Sequence, residues 1–334
     1  MLLVEVILPQ TLFTNPVFPT VPRKIPCVFP VKVTYKTSTK KSAKAKTKKL
    51  TYTMKVAKVG VALSGDSVVA IGSTTKLTNT KKNSSRAKIT YTSSDDSIAT
   101  VAADGTVTGV KAGKATITAK ITVGKDSATT TKDVEVKNYV LSTVAQNKLT
   151  ELTATVAGDT KNLKATDFAI KSEATNVVYP VSKVTVDSKD ASKVTLTLFS
   201  ELKDAATYDV TLDGITKTFV ASDGKVASIA LDKATIPYAT ETEVKLVSKD
   251  ANGVVVKELK YGETDASYDF TINTNGNGYT NGSKLYLNKV GDTATAEITY
   301  KTGKYDQNGK PEGNIGPNKV TITAADQSAI NDFK

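Results

Sequence analysis

The side chains of this 334-residue chain with the best claim to chemistry sit in turns. Asp-x-Asn-Gly occurs at Asp250-Ala251-Asn252-Gly253 and again at Asp306-Gln307-Asn308-Gly309. Asp250, Asn252, Asp306 and Asn308 offer oxygens to calcium, but that ion takes about six to eight of them and each tetrad supplies only a few. The same spelling is also ordinary turn chemistry, in which the Asp side chain bonds the backbone two residues on. A second candidate is the loop Asn273 to Gly282, where Asn275, Asn277, Tyr279 and Asn281 lie among glycines. An amphipathic ring among amides suits contact with carbohydrate or a neighbouring subunit; otherwise the glycines simply serve positive φ in a connector. Lys40, Lys41, Lys44, Lys46, Lys48 and Lys49 crowd a third stretch, an attraction for an anionic wall polymer or else a solvated spacer. Asp95, Asp96 and Asp126 form a further acidic set near a domain end, with a capped Ser/Asp turn as the plainer alternative.

Composition removes most catalytic classes. Histidine and tryptophan are absent and Cys27 is the single cysteine, so no histidine-based triad, imidazole metal site or intrachain disulfide can form within this chain. Lysine-assisted serine chemistry and paired carboxylates lack a supporting motif, and no spacing isolates the buried acid that a Lys–Asn isopeptide bond needs. We expect no enzyme and no cofactor, calcium being the one candidate.

The net charge of +12 is concentrated at one end. Residues 1–60 hold twelve basic residues against Glu5, whereas residues 139–334 carry 22 lysines against 25 acids. Only Arg23 and Arg86 are arginines, which argues against a nucleic-acid reader. Prolines at 9, 16, 19, 22, 26 and 30 exclude a helical signal or membrane span there, so an irregular arm is expected over 1–34. Tyr35 to Leu50 reads as a lysine-rich linker.

The elements that must position these residues are strands. Val, Ile, Ala and Thr dominate the apolar palette, which favours sheets. Between Tyr91 and Ala119 four short strands are expected, with Asp104-Gly105 closing a two-residue hairpin through positive φ at both positions. Ala115, Ile117, Ala119 and Ile121 alternate with Thr116, Thr118 and Lys120, giving one apolar and one wet face.

Ser93 to Asp95, Ile98 to Val101, Asp104 to Gly113 and Ala115 to Ala119 appear in an order and spacing that resembles the bacterial immunoglobulin-like domain, group 2. The likeness covers about residues 51–138. It implies a surface module for spacing, adhesion or assembly, without catalysis. The family often has Trp where this chain has Tyr91, a change that adds a hydroxyl needing a partner.

Two further sandwiches are expected, over 139–223 and 224–324, with 325–334 as a tail or the start of another unit. In the first, Val184 and Val186 alternate, as do Val194, Leu196 and Leu198, and Asp213-Gly214 marks a hairpin. Tyr208, four residues after Asp204, suggests a tyrosine corner whose hydroxyl bonds back to loop backbone. In the last, Ala266 to Phe270 echoes Ala206 to Val210. Val194 to Leu198, Asp204 to Gly214 and Lys249 to Val256 resemble the tandem modules of Gram-positive surface-layer proteins.

The expected fold is therefore all-β, with tandem immunoglobulin-like sandwiches in an elongated arrangement behind an irregular amino-terminal arm. The expected function is non-enzymatic: an extracellular structural protein of a bacterial cell surface or wall that self-associates or meets other surface proteins. The alternatives are an adhesin for cell-wall polymer or host glycan, and a phage virion component. No recognisable signal peptide is expected in this chain.

Overall fold

The computed structural model describes residues 31–36, 45–50, 58–83 and 87–330. Cys27, Lys40, Lys41 and Lys44 lie outside them. The chain divides into two compact units, residues 1–138 and 139–334. Among the described residues no helix is long and apolar enough to cross a membrane.

In the first unit, Val31–Lys36 pairs antiparallel with Ala45–Leu50, so Lys46, Lys48 and Lys49 stand in a strand where a linker was expected. Val31, Val33 and Tyr35 recur at every second position, a strand period that the lysine content disguised. The sandwich that follows has a four-stranded sheet in the spatial order Val68–Ala70, Asp126–Lys137, Gly113–Val123 and Lys88–Ser93. Thr74–Lys76, Thr106–Gly109 and Ala99–Val101 form a second sheet, and Gly60–Ser64 pairs with Thr78–Lys82. The expected alternation holds: Ala115, Ile117, Ala119 and Ile121 are all buried. Ala115 and Ile117 join Leu77, Val107, Val134 and Val136 in the core between the sheets. Burying one isoleucine side chain stabilises by roughly 1.5–3 kcal/mol. The Tyr91 hydroxyl accepts from the Asn79 amide at 2.8 Å, which answers its need for a partner.

The Asp104-Gly105 turn is not the two-residue hairpin expected. Ala102 N–H donates to Thr106 O (2.8 Å) and Gly105 N–H to Ala102 O (3.0 Å), a wider loop in which only Gly105 has positive φ. Asp104 instead uses its carboxylate, accepting from Thr106 N–H at 3.0 Å and from the Lys76 ammonium. Asp213-Gly214 does form the tight hairpin: Leu212 pairs directly with Ile215, and φ is 48° and 73° at the two turn residues. Both residues then follow the strand twist.

In the second unit, one seven-stranded sheet runs Val181–Val186, Lys193–Leu198, Glu151–Gly158, Tyr139–Lys148, Val255–Lys260, Lys245–Lys249 and Ser228–Leu231. Phe168–Ser172, Thr207–Leu212 and Ile215–Val220 form the sheet opposite its first half. Leu152, Ile170, Leu196, Leu202, Val210 and Leu212 fill the layer between. Tyr208 is buried there, stacked on Phe219 and edge-on to Tyr179. Its hydroxyl donates to Asp204 Oδ2 at 2.9 Å, not to loop backbone, while Asp204 Oδ1 accepts from Ala206 N–H at 3.1 Å and so holds the carboxylate beside the ring. Burial, then Tyr179 and Asp204, push this phenol's pKa up.

The remaining residues form a four-stranded sheet, in the order Thr235–Pro237, Ile315–Ala325, Thr293–Tyr300 and Tyr268–Asn273. A three-stranded sheet, Thr242–Glu243, Lys284–Leu287 and Gly278–Asn281, accompanies it. Alternate residues of Thr293–Tyr300 serve two cores at once. Ala294 and Ala296 pack with Leu285 and Leu287 under the three-stranded sheet, and Ile298 packs with Ile229, Leu246 and Leu259 under the seven-stranded one. The Tyr268 hydroxyl meets Ser248 Oγ at 2.8 Å, so the sequence echo of Tyr208 finds a serine in place of a carboxylate.

Candidate functional site

Two places gather the residues singled out above. The first is the outer face of the three-stranded sheet. Leu285 and Leu287 point into the core, so Lys284 and Tyr286 point out. Register pairs Tyr279 with Tyr286 and Asn281 with Lys284, and Glu243 with Lys284 on the other side. The two tyrosine rings stack at 4.8 Å between centroids and 16° between planes. Gly278 lets the two strand backbones approach closely beside this pair, since a Cβ there would stand 1.9 Å from the Tyr286 carbonyl oxygen. Glu241 accepts from Asn281 Nδ2 at 3.0 Å and Tyr279 Oη at 3.5 Å, with Lys284 Nζ also 3.5 Å away. The Asn281 amide, then Lys284, hold Glu241 below the usual carboxylate range. Desolvation and then the Glu241 charge raise the Tyr279 phenol.

The structure thus separates the four residues of the candidate loop. Tyr279 and Asn281 share the outer face, whereas Asn275 and Asn277 hold the loop together by donating to Thr295 Oγ1 (3.3 Å) and Thr293 O (3.2 Å). Tyr286, Glu241 and Lys284 join the face without having been singled out in the sequence. Lys-Leu-Tyr-Leu at 284–287 does carry the alternating signal that places Tyr286 outward.

The second place lies within residues 139–334, where the seven-stranded sheet changes from one sandwich to the next. Lys148 pairs with Val255 in parallel, and Leu149 N–H donates to Val255 O at 3.2 Å. Around this ladder runs a polar chain. The Gln146 amide accepts from Ser222 N–H (2.7 Å) and donates to Leu202 O (2.8 Å). Ser222 Oγ donates to Asp250 Oδ2 at 2.7 Å, and Asp250 Oδ1 accepts from Asn252 N–H (2.8 Å) and Val254 N–H (2.9 Å). Ser222 and Asp250 are buried, and no buried side-chain nitrogen or oxygen among the described residues lacks a partner. Lys148 ties the surface of the junction to both sides, 3.5 Å from Glu151 and 3.3 Å from Glu258. A shallow recess of about 250 Å³ beside it is lined by Lys148, Glu201 and Lys257, among others.

The other candidates disperse. Asp306 Oδ1 accepts from Asn308 N–H (2.9 Å) and Lys310 N–H (2.8 Å) in an exposed turn. Asp95 Oδ1 accepts from Ser97 N–H and Oγ, and Asp126 sits at the far tip of its hairpin opposite Val123. Among the described residues no three His, Cys, Asp or Glu side chains group as a metal would require.

Facing, mainly antiparallel sheets with an apolar layer between them define these modules as immunoglobulin-like β-sandwiches. Residues 60–134 match the family model of the bacterial Ig-like domain, group 2. An alpha-L-arabinofuranosidase of Bifidobacterium longum subsp. longum is 44% identical over an alignment of 90 residues that covers 23% of this chain and 8% of that protein. The chain therefore spans under a tenth of this curated relative's length. Among solved structures, the N-terminal part of the bacterial S-layer protein SbsC aligns over 57% of this chain and 44% of its own, at 18% identity and a TM-score of 0.34. A SusE-like surface-located polysaccharide-binding protein from Bacteroides thetaiotaomicron aligns over 80% and 53%, at 10% identity and a TM-score of 0.20.

Proposed function

We propose that the chain is a non-enzymatic structural protein of a bacterial cell surface, acting as an extracellular spacer that associates with itself or with other surface proteins. One observation carries this reading: the two sandwiches of residues 139–334 are joined by backbone hydrogen bonding and a Gln146–Ser222–Asp250 chain whose last two members are buried. Domains on slack linkers move independently by default. A shared sheet with a satisfied polar chain removes that slack and lets one module transmit load to the next, as a spacer requires. The group 2 Ig-like segment at 60–134 supports the surface setting.

Two measurements test it. In an optical trap, residues 139–334 of the full chain are expected to yield in one cooperative event; two independent events, each of single-sandwich length, overturn the stiff union. The relative's name supplies the second test. Hydrolysis of p-nitrophenyl α-L-arabinofuranoside by the purified chain overturns the non-enzymatic reading, and no turnover together with ordered assemblies under the electron microscope supports it.

A further inference from the structure

The outer face of the Thr242–Glu243, Lys284–Leu287, Gly278–Asn281 sheet carries more than packing requires. Tyr279 stands on an edge strand of the three and keeps 48% of its surface exposed despite the ring stacked beside it. Both tyrosines extend from the solvent face, away from the Leu285 and Leu287 core. The adjacent polar groups turn toward one another on that surface: Glu241 as acceptor, Asn281 with both an amide oxygen and nitrogen, and Lys284 as donor. Strand register sets Tyr279 opposite Tyr286 and Asn281 opposite Lys284, and Glu241 stands immediately before the strand Thr242–Glu243. The ordering cost of a binding surface has thus been met by folding.

A pair of aromatic rings with a rim of carboxylate, amide and ammonium matches one ligand chemistry well. A pyranose whose ring substituents are all equatorial has a flat C–H face that packs on an aromatic ring, whose electron-rich face attracts those polarised hydrogens. Its hydroxyls then project sideways in the ring plane, where a carboxylate accepts two of them and an amide both donates and accepts. Glu241 and Lys284 carry opposite charges, so the face favours a neutral sugar over an acidic one. We propose that this face is a carbohydrate-binding site for a neutral, β-linked chain of glucopyranose-type sugars, with Tyr279 as the stacking platform and Glu241, Asn281 and Lys284 reading the hydroxyls. The site stands whether or not the chain is a surface spacer.

The test is saturation-transfer NMR on the full chain, with cellohexaose and the N-acetylglucosamine hexamer as probes and mannohexaose, which has an axial 2-hydroxyl, as the contrast. The protein has 13 tyrosines, 8 phenylalanines and no tryptophan, so irradiation of the aromatic region saturates tyrosine and phenylalanine rings without an indole background, and the Tyr279 variants assign the contact. Transfer is expected at the ring C–H protons of an equatorial probe and to be weaker for mannohexaose. Y279A is expected to weaken binding about tenfold or more, equivalent to ~1.4 kcal/mol, while Y279F keeps the stacking and most of the affinity. N281A, on the same exposed strand, supplies an independent arm should Y279A fold poorly, and is expected to weaken binding several-fold. Absence of transfer to both equatorial probes overturns the proposal. So does undiminished transfer in both alanine variants, or equal binding of mannohexaose. Sedimentation showing Tyr279-dependent self-association without sugar binding assigns the face to a second copy of the chain and likewise overturns it.

Discussion

Asp250 and Asp306 open the same tetrapeptide pattern and fold it into the same turn. In each, the Asp N–H donates to the carbonyl four residues on, at 2.9 Å in both cases. The glycine N–H returns to the Asp carbonyl, at 3.2 Å in the first turn and 3.0 Å in the second. Oδ1 accepts from the N–H groups two and four residues on in both. The difference lies in what approaches Oδ2. At Asp250 it is the Ser222 hydroxyl, inside a junction where the residue is only 5% exposed. Asp306 stays exposed on a short ladder between Lys304–Tyr305 and Pro311–Glu312. Local residues therefore build the turn, and the neighbours brought by folding decide what it is worth. A buried polar group left without partners costs far more than a solvated one, because water replaces the lost bonds only at the surface.

The largest expected effect follows from that asymmetry. Asp250→Ala strands the Ser222 hydroxyl and the Val254 N–H in a buried site and also removes the acceptor of the Asn252 N–H, a loss of about 3 kcal/mol in unfolding free energy. Asp306→Ala stays within about 1 kcal/mol of the parent. Urea titration of both variants checks the pair, and equal losses would erase the distinction drawn here.

Ser222→Ala comes next, at about 1.5–3 kcal/mol for a hydrogen bond to a charged acceptor. Combined with Asp250→Asn in a double-mutant cycle, it is expected to show strong coupling, as groups in direct contact do. Simple additivity would mean that the two stabilise the junction separately.

The smallest effect belongs to a third turn carboxylate, exposed like Asp306 but paired. The Lys76 ammonium, then the Thr106 N–H, lower Asp104 to about 2. An unfolded Asp titrates near about 3.9, so this carboxylate contributes its stability fully above about pH 4 and loses it as pH falls toward 2. Thermal midpoints at pH 6, 4 and 2.5 should show a slightly shallower acid decline in Asp104→Asn than in the parent. Identical declines would show that the Lys76 contact adds nothing in solution, as many exposed ion pairs do.

Much of the fold was legible where the information is local. The alternation from Ala115 to Ile121 marked a buried face, and Asp213-Gly214 marked a tight hairpin, because period and φ preference act over a few residues. Asp104-Gly105 misled because the same dipeptide also closes wider loops, where only the glycine takes positive φ. At the candidate surface, Tyr279 and Asn281 stood out by their setting in a glycine-rich loop. Glu241 did not, since it lies 40 residues before Asn281 and meets it only because the strand that follows it pairs with Lys284–Leu287.

What residue order settled alone is the serial β character of the chain: branched and small apolar side chains at every second position, broken by Asp, Asn and Gly, leave the backbone few other ways to bury them. The tertiary structure alone decided that Lys148 would pair with Val255, that Ser222 would find Asp250, and that two tyrosines would stack outward beside a glutamate. Each of those contacts depends on distant strands reaching a common register, and pairwise geometry of that kind has no signature within the short stretches that periodicity can report.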